Sequence, residues 1–134
     1  MSEADIEMVR SGFKTLARDG VDGLIPLVHP EFEMTTPAAL AAEPDTYRGR
    51  EGMRRYWDSF GDGMEAVEFI AGEFEDLGDG NVLTMALLRG RGRTTGIEVE
   101  QEVVLIWEVR DAMAYRVNIF ATADEARAFV AGTG

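Results

Sequence analysis

The 134 residues include one histidine (His29), one lysine (Lys14) and no cysteine, so few groups can carry acid–base or covalent chemistry. His29 is the sole side chain whose ordinary pKa lies near physiological pH. It is the natural general base if it faces a pocket, with Glu31 or Glu33 to orient it. Before Pro30, where a short helix is expected to end, it could equally bond the last helical carbonyls. A Schiff base would have only Lys14 or the amino terminus available. Without cysteine there are no disulfides, thiol catalysis or thiolate-bound metals, and one histidine cannot build a multi-histidine zinc centre. No cofactor or metal is expected.

Other polar groups draw interest from their place in a strand pattern. Ile97, Val99, Val103, Leu105, Trp107 and Val109 fill odd positions, and Glu98, Glu100, Glu102 and Glu108 fill even ones. Gln101 shares the odd set and should point inward, where a polar group must be hydrogen-bonded or solvated. It reads either as a ligand contact or as a structural bond near an open end. Arg89, Arg91 and Arg93 are the densest basic run. They either bind an anion or pair with Glu98, Glu100 and Glu102 across a hairpin. Arg116 and Asn118 share parity with Phe120 on a last strand, so these three line the interior together or yield it to Tyr115, Val117 and Ile119.

The elements that would position these groups follow from periodicity. Ile6, Val9, Phe13, Leu16 and Ala17 predict a helix over 3–19, with Ser2 as cap and Gly20 as stop. Asp22 should cap a second helix through Val28, with Pro26 in its first turn. A short strand over 32–35 and an irregular stretch over 37–48 precede a third helix over 51–60, built on Met53, Tyr56, Trp57 and Phe60 and closed by Gly61-Asp62-Gly63. The period then drops to two. Strands are expected around Val67–Ala71, over 82–88, from Ile97 to Val109 and over 115–120, with Gly90 to Gly96 as a connection. A short helix near 123–130 closes the chain. The sum is one α+β domain over 1–134: a curved, mostly antiparallel sheet around three helices, with an apolar pocket between them.

Formal charge is −12, from 25 acidic and 13 basic residues, which disfavours nucleic acid and anionic bilayers as partners. The longest near-apolar run is too short to cross a bilayer, and a cytoplasmic setting is expected. Val104 and Ile106 stand on the glutamate-bearing face of the long strand, which suggests a cover there, most simply a second subunit; the alternatives are a local apolar patch or the C-terminal tail.

The order of Asp19-Gly20-Val21-Asp22-Gly23-Leu24, His29-Pro30-Glu31-Phe32-Glu33, Tyr47-Arg48-Gly49-Arg50-Glu51-Gly52, Arg89 to Ile97, and Arg116 with Phe120 resembles a SnoaL-like protein of the NTF2-like superfamily, over about residues 5–131. The resemblance implies a cone-shaped α+β barrel, usually homodimeric, with an apolar cavity. Relatives include ketosteroid isomerases, polyketide cyclases, epoxide hydrolases, dehydratases and non-catalytic binding modules. The isomerase's oxyanion tyrosine, proton-shuttling aspartate and second acidic donor fall at Gly12, Thr36 and Val103, which disfavours that activity. Glu33 is the carboxylate nearest the missing aspartate. The isomerase's helical pocket tyrosine falls at Trp57, which would form a flat apolar wall beside Tyr56, with Met34, Met53, Met85 and Leu87 as a pliable lining. The expected site therefore has His29, Glu33 and Gln101 as catalytic candidates. Trp57, Tyr56, Arg89, Val103, Arg116, Asn118 and Phe120 would hold a small apolar molecule. The alternatives are a carrier without chemistry, and a dimeric accessory protein with a filled interior.

Overall fold

The computed structural model describes residues 3–35, 46–61 and 64–133. The Ser2 cap, Thr36, most of the irregular stretch over 37–48 and the closing turn at Asp62-Gly63 lie outside them, as does the side chain of Phe60. Helix α1 (Glu3–Asp19) places Glu3 and Asp5 in its first turn and Arg18 in its last, each sign suited to the helix dipole. It stops where expected. Gly20 adopts φ 75°, open to glycine, and its N–H donates to the Leu16 carbonyl at 2.9 Å.

The second helix is shorter than its apolar content predicts. Helix α2 (Val21–Leu24) and one 3-10 turn (Ile25–Leu27) give way at once to strand β1 (Val28–Thr35). Asp22 makes no cap; the N-cap is Gly20, and the Asp22 carboxylate accepts from Arg54 instead. His29-Pro30 therefore sits in a strand and not at a helix end. Pro30 is tolerated there because the pairing with the last strand is broken between Val28 and Glu33, where no N–H is required.

Strand β2 (Thr46–Arg48) leads into α3 (Gly49–Gly61). Four strands follow: β3 (Met64–Gly78), β4 (Asn81–Gly92), β5 (Glu98–Arg110) and β6 (Met113–Phe120). Helix α4 (Ala123–Thr133) ends the described chain, with Thr122 Oγ1 accepting from the Glu125 N–H at 3.2 Å in its first turn. The sheet order is β2-β1-β6-β5-β4-β3, antiparallel except for β1 against β6. The glycine-rich stretch is strand as far as Gly92. Gly90 lies under Met64, whose Cε would stand 2.4 Å from an added Cβ, a clash that a turn of that flexible side chain relieves.

The two sheet faces have different covers. Val28, Phe32, Met34, Leu88, Val103, Leu105, Val117 and Ile119 face the helices α1 to α3 and form the main core with Tyr47, Met53 and Tyr56. On the outer face Leu83, Val104 and Ile106 pack with Ala126, Phe120 and Val130. The cover over Val104 and Ile106, left between a partner subunit and the tail, is α4 of the same chain. Met85 and Leu87 were expected inside. Ala86 and Leu88 take the inner positions of β4, which leaves Met85 on the outer face and 41% exposed.

Candidate functional site

An open cleft of about 810 Å³ lies between α1 and the edge strand β3. Phe13, Leu16 and Ala17 of α1 form one wall, Trp57 of α3 the end, and Val67, Phe69 and Phe74 of β3 the other wall. Val67 and Phe69 share parity, but Phe74 does not. An irregularity between Ala71 and Phe74 restores it to the inner face: Phe69 pairs with Leu88 and Phe74 with Thr84, both inward residues of β4. The rings meet edge to face, Phe13 with Phe74 at 6.1 Å and Trp57 with Phe69 at 5.3 Å.

Behind the cleft, among the described residues, lie two small apolar hollows of about 40 and 30 Å³, and Phe13 and Leu16 line both of them as well as the cleft. These two side chains are the partition between interior and opening. Each void is about the size one water needs, far below that of an organic ligand. Trp107 Nε1 and Thr84 Oγ1 are buried with no hydrogen-bond partner among the described residues. The Tyr56 hydroxyl is held well above its ordinary pKa, first by burial and then by Tyr47, so it stays protonated.

Of the expected site residues, Trp57 lines the cleft. Tyr56 lies behind it on the smaller void, and Val103 is core. Gln101 keeps inward parity beside Leu88 and is half-buried, but lines none of the described cavities. His29 is on the far side of the sheet from the cleft. Its Nδ1 accepts from the Glu31 N–H at 2.9 Å, which leaves the proton of the neutral ring on Nε2, 3.5 Å from Asp111 Oδ2. The ring stands edge-on to Tyr115 at 5.0 Å. Glu33 alternates away from core residues Phe32 and Met34 and lies 3.7 Å from Arg48.

Arg89 pairs with Glu100 at 2.9 Å and Glu68 at 3.7 Å, and Arg91 and Arg93 both reach Glu65. The ion-pair reading of this run is the one found, with Glu65 replacing Glu98 and Glu102. On β6, Val117 and Ile119 point inward and Arg116, Asn118 and Phe120 outward, so the latter three do not line the cone. Arg116 and Asn118 border a groove of about 340 Å³ under α4, and Phe120 packs on Phe129 at 5.3 Å. Tyr115 departs from the apolar set expected with Val117 and Ile119. A break in register between Glu108 and Val109 puts Ala114 in the core, and Tyr115 turns to His29.

Phe74, Arg10 and Lys14 also line the cleft and were not foreseen as site residues. Phe74 gave a faint signal, an aromatic isolated between Glu73 and Glu75. Gly12 is buried against α2, where a Cβ would meet Leu24 Cδ1 at 3.6 Å, so the tyrosine position of the isomerase faces packing. Among the described residues no group of three or more histidines, aspartates or glutamates is placed to hold a metal ion, and no helix is long and apolar enough to cross a membrane.

A family model described as a SnoaL-like domain matches residues 9–117. No curated protein matches the chain in sequence. Solved structures do match. An NTF2-like protein of unknown function from Burkholderia pseudomallei is 14% identical with TM-score 0.77, covering 92% of this chain and 95% of that one. An NTF2-like protein from Burkholderia thailandensis is 21% identical with TM-score 0.77, covering 93% and 96%. TerC, co-crystallised with polyporic acid, is 17% identical with TM-score 0.77, covering 96% and 98%.

Proposed function

The chain belongs to the SnoaL-like family, and from that premise we propose that it binds a small, largely apolar molecule in the cleft between α1 and β3. The observation that carries this reading is the cleft itself. Its volume of about 810 Å³ suits a small organic ligand, its walls are aromatic and aliphatic, and Glu68 is the sole acid among the described residues lining it. That one neighbour of the same fold was crystallised with polyporic acid is in keeping with it. The reading is binding without an acid–base step. The isomerase-, cyclase- or hydrolase-type alternative would draw on His29, Glu33 and Gln101, and none of these borders the cleft. A general base must come within hydrogen-bond reach of the proton it removes.

The test is calorimetric titration of the full chain with naphthylmethanol, a neutral aromatic probe. Wild type should bind one molecule per chain, and Ala17→Trp, which fills the cleft from an exposed helical position, should weaken it by about tenfold or more. Equal binding by both proteins would remove the cleft from the account.

A homodimer through the outer sheet face, in the cytoplasm, completes the proposal. Ile70 and Met85 are 39% and 41% exposed on β3 and β4, beside Leu87, which Ile70 faces in the ladder. Sedimentation of Ile70→Arg should show a monomer where the wild type is a dimer.

A further inference from the structure

A ligand of the cleft meets more than hydrocarbon. The three basic residues of α1, Arg10, Lys14 and Arg18, recur every four positions and form one stripe along the helix. Like charges at this spacing mildly destabilise a helix, so the stripe has a cost that an anion would relieve. Arg10 and Lys14 border the cleft. Two of the three cations are already matched, Arg10 by Glu7 and Arg18 by Asp19 at 2.9 Å. Lys14, the lone lysine of the chain, has no ion-pair partner among the described residues. Glu68 sits 3.7 Å from Arg89 and does not answer it. In a chain of formal charge −12, the described residues that line this one cleft hold two cations, Arg10 and Lys14, against one anion, Glu68.

The walls specify the rest. Phe13, Trp57, Phe69 and Phe74 present four ring systems to one opening, and their edge-to-face arrangement offers surfaces on which a flat ring can stack. A lysine stem can lie along such a wall while its ammonium stays in water, and its point charge fits a single anionic group without the two-pronged geometry of arginine. We propose that the cleft takes an organic anion with a planar aromatic body, the ring against these four side chains and the anionic group at Lys14. The proposal rests on the binding reading above and adds the charge and shape of the ligand.

The experiment compares naphthoate with naphthylmethanol, which share a ring system and differ in charge, by calorimetry on the full chain. At low salt naphthoate should bind about fivefold tighter, the effect of one exposed ion pair. The ratio should fall towards one in Lys14→Gln and as salt is raised, and stay unchanged in Arg18→Gln, which alters the same stripe outside the cleft. Lys14 is exposed, so the variant keeps the fold. Equal affinity for the two probes in wild type, or a preference that survives Lys14→Gln, overturns the anion proposal while leaving the cleft as a site. Binding of neither probe overturns the cleft reading and this proposal with it.

Discussion

The inner and outer faces of one sheet divide the work of this protein. The inner face carries a closely packed apolar core and opens into an aromatic cleft; the outer face carries most of the groups whose types promise chemistry. His29, Glu33, Arg89 and Arg116 all lie on the outer side, each beside a carboxylate, an arginine or a tyrosine. Strand alternation explains the division. A residue type with chemical potential gains a site only when its parity points it at the ligand, and here parity sends these to solvent and ion pairs.

The largest expected effects set the two faces against each other. Phe32 is fully buried in the inner core, so Phe32→Ala should lose about 3–5 kcal/mol of global stability in denaturant unfolding. Ile106 lies under α4 on the outer face, and Ile106→Ala should cost less, about 2–3 kcal/mol, with hydrogen exchange rising first in α4. An equal loss and simultaneous exchange throughout would mean the two faces form one cooperative unit.

A smaller effect sharpens the claim that the inner face is a closely packed apolar core. Thr84 is fully buried and its hydroxyl has no partner among the described residues, so Thr84→Val should stabilise by ~1 kcal/mol in the same unfolding measurement. Destabilisation would show that the hydroxyl is bonded to water or ligand inside the cone.

Smallest is the pH response of α4. Arg127 on this helix holds both oxygens of Glu75 on β3, at 2.5 and 2.8 Å, and that hydrogen-bonded pairing lowers the Glu75 pKa from 4.5. A depressed carboxylate contributes stability above its ordinary value and loses it as pH falls through the lowered one. Protection factors of the α4 amides, which remove the intrinsic pH dependence of exchange, should therefore fall below about pH 4 in wild type, and be lower but flat across that window in Glu75→Gln. Both residues are exposed, so the effect is small.

Much of this arrangement was legible in the chain. The order of elements and the inward set Val103, Leu105 and Trp107 follow from periods of 3.6 and 2, because burial is what imposes those periods. Illegible were the places where register breaks. The bulge between Ala71 and Phe74 decides that Phe74 joins the cleft, and the break at Glu108 and Val109 decides that Ala114 and not Tyr115 is core. One inserted residue reverses parity; Gly72 stands inside the first break, as glycine in a bulged strand often does, while neither glycine nor proline marks the second. Pro30 misled in the opposite sense: it was read as the end of a helix, and it occupies a gap in a strand's pairing. On the last strand the apolar content of Val117 and Ile119 foretold the face better than the family pattern did.

The most direct measurement is an amide chemical-shift map of the full chain titrated with naphthylmethanol. Binding in the cleft predicts saturating shifts gathered on α1 around Phe13 to Ala17, at Trp57, and on β3 from Val67 to Phe74. Shifts gathered instead around His29, Tyr115 and Arg116, on the opposite face, would contradict the account.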